Sequence, residues 1–258
     1  LYQLSQWMAA EGKRARDWLS NLEKIDRISL DLLRKMGWFS AQFDPSINAA
    51  EHLASLVGLE PIKRRINELS AWLVFQKTRS AEENGSSNAP LLHMVFSGNP
   101  GTGKTTIARL TGELFHEIGI LKRGHLVEVH ASDLVADFVG GTAIKTNQVI
   151  DQALDGVLFI DEAYTLSASE RGGFGQEAID TLLTRLEDER SRLVVIVAGY
   201  PDKMQNFIKS NPGLKRRFPQ ENHFDFPDYS PEELWLILAA MLQQLAIPTQ
   251  PDVNASLQ

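Results

Sequence analysis

Residues 98–105 read Gly-Asn-Pro-Gly-Thr-Gly-Lys-Thr, a complete G-x-x-x-x-G-K-[ST] string. The apolar run before it, Leu91–Ser97, has the composition of a strand. The stretch after it, Thr105–Gly119, carries Ile107, Leu110, Leu114 and Ile118 at helical spacing. Strand, glycine-rich loop and helix in that order constrain the fold more tightly than any other part of the chain. Gly98, Gly101 and Gly103 permit backbone angles that a side chain would forbid, so that successive amides can point at one anion. The helix that follows adds its positive amino end. Lys104 supplies a charge to the outer phosphates, and the Thr105 hydroxyl a ligand for Mg²⁺. Asn99, Pro100, Gly101, Thr102, Gly103, Lys104, Thr105 and Thr106 are therefore the expected contacts of a bound ATP or GTP.

A second string answers the first. Gly156-Val157-Leu158-Phe159-Ile160-Asp161-Glu162 is an apolar strand that ends in two adjacent carboxylates. Parallel sheets bind their ligands at the carboxyl ends of the strands, so these acids are expected beside the phosphate loop. Asp161 is placed to hold Mg²⁺, directly or through water. Glu162 can polarise the water that attacks the γ-phosphate, which favours hydrolysis over passive binding. An isolated acid pair at a strand end would be an ordinary surface feature; the phosphate loop upstream is what gives it meaning.

Between and beyond these strings, strand and helix patterns alternate. The strands read are 91–97, 125–130, 156–160, 192–198 and 223–226, and the helices include 60–77, 105–119 and 176–188. A last helix starts at Ser230-Pro231-Glu232-Glu233, where a serine cap, a first-position proline and a third-position acid coincide, and it runs to Leu245. The alternation predicts an α/β fold with a five-stranded parallel sheet covered on both faces. Residues 80–90 read as a polar loop.

Residues 1–50 differ in character. Trp7, Trp18, Leu22, Ile25 and Leu32 recur at roughly helical spacing, with breaks at Gly37 and Asp44-Pro45. A short packed helical pair and a docking module built on Trp7, Trp18 and Trp38 both fit this pattern. The expected domains are thus a helical region at 1–50, an α/β nucleotide-binding domain at 51–228 and the start of a helical lid at 229–258.

Composition limits the rest. A length of 258 residues gives room for one large domain or two small ones, and a hydrophobic content of 43% is enough to fill a core. There are no cysteines, so disulfides, thiolate metal sites and cysteine nucleophiles are excluded. That usage suits a cytoplasmic protein. No apolar run approaches the roughly 18 residues that would span a bilayer. A net charge of −7 argues against a general nucleic-acid binder.

With both strings in place, the chain resembles the AAA+ ATPases, and within them the group that contains the red-type Rubisco activases and the stage V sporulation proteins K. The resemblance runs from about Leu56 to Leu242. Leu56-Val57-Gly58-Leu59, Gly98–Thr106, Gly156–Tyr164 and Val197-Ala198-Gly199-Tyr200 carry it, followed by Asn211-Pro212-Gly213-Leu214, Arg217-Phe218 and Phe226-Pro227-Asp228-Tyr229-Ser230. It implies an ATP-driven ring, usually a hexamer, that remodels a protein client through a central pore. Val57 and Gly58 then match the segment lining the adenine pocket. Arg217 matches the arginine finger that reaches a neighbouring subunit's γ-phosphate, with Arg216 adjacent; by sequence alone, Lys215-Arg216-Arg217 is also an ordinary basic turn. Phe138-Val139-Gly140 falls where the family carries its aromatic pore loop, although by periodicity Phe138 serves equally as a core residue.

Two departures from the family stand out. The end of the fourth strand, Val197-Ala198-Gly199-Tyr200, offers no asparagine to orient water, and Tyr200 is the nearest polar candidate. The lid is expected to be partial because the chain ends at Gln258, with weaker turnover as the consequence. A nucleotide-dependent switch or scaffold, and a nucleic-acid motor of the same superfamily, are the competing readings.

Overall fold

The computed structural model describes residues 48–82, 90–138, 140–168 and 174–244. Nearly all of the helical region expected at 1–50 lies outside the described residues, as do most of the 80–90 loop, Val139 and the end of the lid helix. Two helices, α1 (Ala49–Ser55) and α2 (Glu60–Glu82), precede β1 (Met94–Gly98) and α3 (Lys104–Glu117). Next come β2 (Leu126–His130), a 3₁₀ turn at Ala131–Leu134, α4 (Gly141–Ala153) and β3 (Val157–Asp161). A short α5 (Thr165–Ala168) and α6 (Phe174–Asp188) lead to β4 (Val194–Gly199), α7 (Pro201–Ser210) and α8 (Pro212–Arg217). The 3₁₀ turn Gln220–Asn222, β5 (His223–Phe226) and α9 (Pro231–Gln244) complete the order.

The five strands form one parallel sheet in the order β2-β3-β4-β1-β5. Every residue of β1 and β4 is buried, as expected of strands covered on both faces. Side chains alternate between the faces with period two. Met94, Phe96, Val157, Phe159, Ile196 and Ala198 join one core, with α1, α2 and α3. Val95, Leu158, Ile160, Val195 and Val197 join the other, with residues of α4, α6, α7 and α8. Phe96 anchors the β5 edge, its ring 5.5 Å from that of Phe224 and 4.9 Å from that of Phe226.

The sequence reading draws no helix over 141–153, yet α4 is a regular helix. Its inward face is Gly141, Thr142, Thr146, Ile150 and Ala153. These residues have helical spacing but little apolar signal, because two of them are threonines. Each threonine finds a partner inside: Thr146 donates to the Leu134 carbonyl at 3.0 Å, and Thr142 accepts from the Ala136 amide at 3.0 Å. Hydrogen bonds replace hydrophobicity on that face, so a search for apolar periodicity passes over it.

β1 lies between β4 and β5, so the chain leaves β1 toward one side of the sheet and returns from β4 to the other. The resulting switch point opens a crevice at the carboxyl ends of β1 and β4. Among the described residues, no helix is long and apolar enough to cross a membrane.

Candidate nucleotide and catalytic site

The phosphate loop emerges from β1 into that crevice. Gly98 is required by its neighbour, since a Cβ there would lie 2.6 Å from the Phe226 carbonyl oxygen. Gly101 and Gly103 take left-handed angles, φ 79° and 90°. Gly103 also caps α3 with no side-chain bond, and the first turn of that helix contains no acid. Its leading amides are therefore oriented for an anion, with no competing carboxylate of their own turn. Thr102 steadies the loop by donating to the Asn99 carbonyl at 2.8 Å.

Lys104 folds back over the loop and donates to the carbonyls of Gly98 at 2.9 Å and Asn99 at 2.7 Å. Partial burial pulls its pKa down from the usual lysine range, and the charge of Asp161 opposes that shift. Lys104 and Asp161 thus face one another across the crevice. Thr105 donates to Glu128 on β2 at 3.3 Å. Asp161 ends β3, opposite His130 in register, and accepts the Glu162 amide at 2.9 Å.

Glu162 turns the chain out of the strand with φ 50°, a left-handed angle costly for a residue with a Cβ. Its carboxylate accepts the Tyr164 hydroxyl at 2.9 Å. Burial, followed by that bond to Glu162, pushes the Tyr164 hydroxyl up to about 12. By sequence, Tyr200 is the nearest polar candidate for the water-orienting position at the end of the fourth strand. In the structure the hydroxyl that reaches Glu162 belongs to Tyr164, and Tyr200 stacks obliquely beside it with ring centroids 6.3 Å apart.

The segment that contains Gly58 and Leu59 approaches from the other side, with Leu59 Cδ1 3.4 Å from where a Cβ on Gly103 would lie. A Cβ on Gly58 would lie 2.5 Å from Glu233 Oε1 and 3.3 Å from the Tyr229 ring, and one on Gly103 would lie 3.0 Å from the Tyr229 hydroxyl. Asn99 donates to both oxygens of Asp228, at 2.9 and 3.0 Å. The 57–59 segment, the phosphate loop and the entry to α9 therefore converge on one place. Glu233 is the capping acid expected of α9, and it exchanges bonds with Ser230 at 2.8 and 3.2 Å. Asp228 and Tyr229 have no role assigned by sequence beyond their place in the Phe226–Ser230 string.

Arg217 is placed elsewhere. Its guanidinium pairs with Glu187 at the end of α6, at 3.1 Å, and its charge is felt by His93, the residue just before β1. That is the amino end of the sheet, opposite the phosphate loop of the same chain. Arg216 beside it is exposed. Phe138 is 66% exposed, its ring lying against Gly141, so it is not a core residue.

The donor set suits Mg²⁺. Thr105 and Asp161 offer hard oxygens, and a cation that keeps several waters needs only one or two protein ligands beside phosphate oxygens. Among the described residues no group of three or more histidines and acids could hold a metal by itself.

The family model described as "ATPase family associated with various cellular activities (AAA)" matches residues 94–226, from the first residue of β1 to the last of β5. The chain belongs to the AAA ATPase family. Within the AAA ATPases it falls in the group of the sporulation protein and the red-type activases. It is 46% identical to "Stage V sporulation protein K" of Bacillus subtilis (strain 168) over 194 residues, which are 75% of this chain and 59% of that protein. It is 48% identical over 200 residues to "Ribulose bisphosphate carboxylase/oxygenase activase, chloroplastic" of Cyanidioschyzon merolae, covering 77% of this chain and 67% of that protein. The chain thus spans about three-fifths of the length of the sporulation protein. The solved AAA domain of FIGL-1 in complex with ADP shares the fold, with a TM-score of 0.52 and 22% identity over 73% of this chain and 60% of that one.

Proposed function

We propose that this chain is a ring-forming AAA ATPase that hydrolyses ATP to remodel a protein client. The observation that carries this reading is the meeting of Lys104, Thr105, Asp161 and Glu162 at the carboxyl ends of β1 and β3. In this reading the amides of residues 99–106 and the amino end of α3 bind the phosphates of ATP, while Val57 and Gly58 line the base pocket. Thr105 and Asp161 hold Mg²⁺, which when bound spreads the charge of the outer phosphates. Lys104 exchanges its two loop carbonyls for phosphate oxygens.

Glu162 accepts a proton from water as the water oxygen bonds to the γ-phosphorus. The bond from that phosphorus to the β–γ bridging oxygen breaks, leaving ADP and inorganic phosphate. Arg217 lies too far round its own subunit to serve there, which supports action on a neighbour's nucleotide in a homo-oligomeric ring, a hexamer by family habit. Such a finger stabilises the transferring phosphoryl group by its charge. The exposed ring of Phe138 supports a pore contact, able to grip an extended chain without reading its sequence. A relative named as an activase of another enzyme supports a protein client over a nucleic acid.

The test is Glu162→Gln. ATP should still bind with near-normal affinity while turnover falls by about 10²–10⁴-fold, read by phosphate release beside nucleotide titration. Normal turnover in this variant would remove Glu162 from the mechanism.

A further inference from the structure

The environment of Tyr164 is built for more than packing. Its ring is seated against the end of β4, where a Cβ on Gly199 would fall 2.7 Å from Tyr164 Cδ1 and 2.8 Å from Cε1. Any side chain at 199 would push the ring away. The Ala163 amide donates to the Ala198 carbonyl at 3.2 Å and fixes the backbone of this turn to the same strand. The Lys203 ammonium stands 4.5 Å from the centroid of the ring, on the first turn of α7. From this seat the hydroxyl reaches the carboxylate of Glu162. Tyr164 is buried to 9% exposure, whereas Glu162 is exposed and would otherwise sample many rotamers in water.

The direction of this tether matters. β4 lies between β3, which delivers Asp161 and Glu162, and β1, which delivers the phosphate loop. A carboxylate tied to a ring packed against the end of β4 is held on the β4 side of β3, the side on which β1 and its phosphate loop lie, and away from β2. The end of β4 itself contributes no polar side chain, its last residues being Val197, Ala198 and Gly199.

We propose that Tyr164 is a positioning residue, which holds the Glu162 carboxylate over the end of β4 in the orientation needed to take a proton from the attacking water. Resting on the reading of Glu162 as the base, this assigns to a tyrosine from the turn after β3 the orienting task that β4 cannot perform. Gly199 is part of the same device, because it clears the space the ring occupies.

The experiment is Tyr164→Phe, alone and combined with Glu162→Gln, in the intact protein. Phenylalanine keeps the ring in its seat and removes only the hydroxyl. Turnover at saturating ATP and Mg²⁺ should fall roughly 10- to 100-fold with KM for ATP within about twofold, the pattern of a misplaced catalytic group rather than a lost binding contact. In the Glu162→Gln background the same substitution should cause no further loss, because Tyr164 acts through Glu162. Unchanged or raised kcat in Tyr164→Phe, beside an inactive Glu162→Gln, would overturn the positioning role alone. An equal loss in both backgrounds would make Tyr164 a merely structural residue. Normal turnover in Glu162→Gln would be a different failure, one that removes the base and with it the need to position it.

Discussion

The two ends of this sheet handle polar groups in opposite ways. At the amino ends, His93, Asn222 and Asp155 have partners fixed by the fold. His93 is fully buried, accepts the Val195 amide at Nδ1 at 3.1 Å, and donates from Nε2 to the Leu186 carbonyl at 3.2 Å. Asn222 donates to the carbonyls of Leu91 and His93, at 2.9 and 3.1 Å. Asp155 takes a two-pronged bond from Arg192, at 2.9 and 2.7 Å, and this bond holds its carboxyl below the usual range. At the carboxyl ends the partners can be exchanged. Lys104 rests on loop carbonyls and Thr105 on the side chain of Glu128. The same sheet thus has a stapled end that supplies stability and an open end whose groups can be handed to a ligand. A bond meant to be released on binding must cost little to break, and exposed bonds to loop oxygens meet that condition.

If this contrast holds, changes at the open end should abolish binding while leaving the fold intact. Lys104→Ala should lower ATP affinity by roughly 10²-fold or more, measured by calorimetric titration, with the melting temperature without nucleotide near that of the parent. A large drop in melting temperature would instead make Lys104 part of the staple.

The amino end should show the reverse. Burial, above all, lowers the pKa of His93 from 6.5 to about 4, so the unfolded chain binds a proton in this window that the folded chain refuses. Stability is therefore complete above pH 6.5 and falls as the pH drops toward 4, by on the order of 3 kcal/mol from this one group. Urea unfolding at pH 7 and near pH 4 should show that slope in the parent. His93→Gln should have a shallower one, with nucleotide affinity at pH 7 little changed; equal slopes would mean His93 is not the group responsible.

The smallest effect is expected at Phe138, in the connection between β2 and α4. Phe138→Ala removes a ring that is 66% exposed, so stability should move by no more than about 0.5 kcal/mol. ATP affinity should likewise hold, and only client-coupled activity should fall. Loss of stability on unfolding in urea would mean that the ring contributes packing the exposure does not reveal.

Much of the open end was legible in the sequence because it is local. Gly98 to Thr105 is one unbroken string, and Gly101 and Gly103 are demanded by backbone angles within the loop itself. Gly98 is demanded by the close approach of the Phe226 carbonyl rather than by its own angles. The strands β1, β3 and β4 were legible because they are largely apolar runs, buried almost throughout. The helix at 141–153 was not, since its core face is made of threonines whose hydroxyls are satisfied by the 3₁₀ turn before it. The tie between Asn99 and Asp228 was equally hidden, joining residues 129 positions apart.

The sequence alone determined that a phosphate-binding loop stands between a strand and a helix, and that a second strand ends in Asp161 and Glu162. Those are facts of short-range geometry, set by glycine, periodicity and residue order. Only the tertiary structure decided which tyrosine reaches Glu162, that Arg217 sits at the far end of the sheet from its own phosphate loop, and that Phe138 faces solvent. The first depends on the seat that Gly199 of β4 leaves for the Tyr164 ring, and the second on the strand order β2-β3-β4-β1-β5, which sets neighbours by the pairing of distant segments. Two tyrosines at 164 and 200 carry the same chemistry in the sequence. The glycine at the end of β4 gives the first its seat, from which its hydroxyl reaches the acid two residues before it.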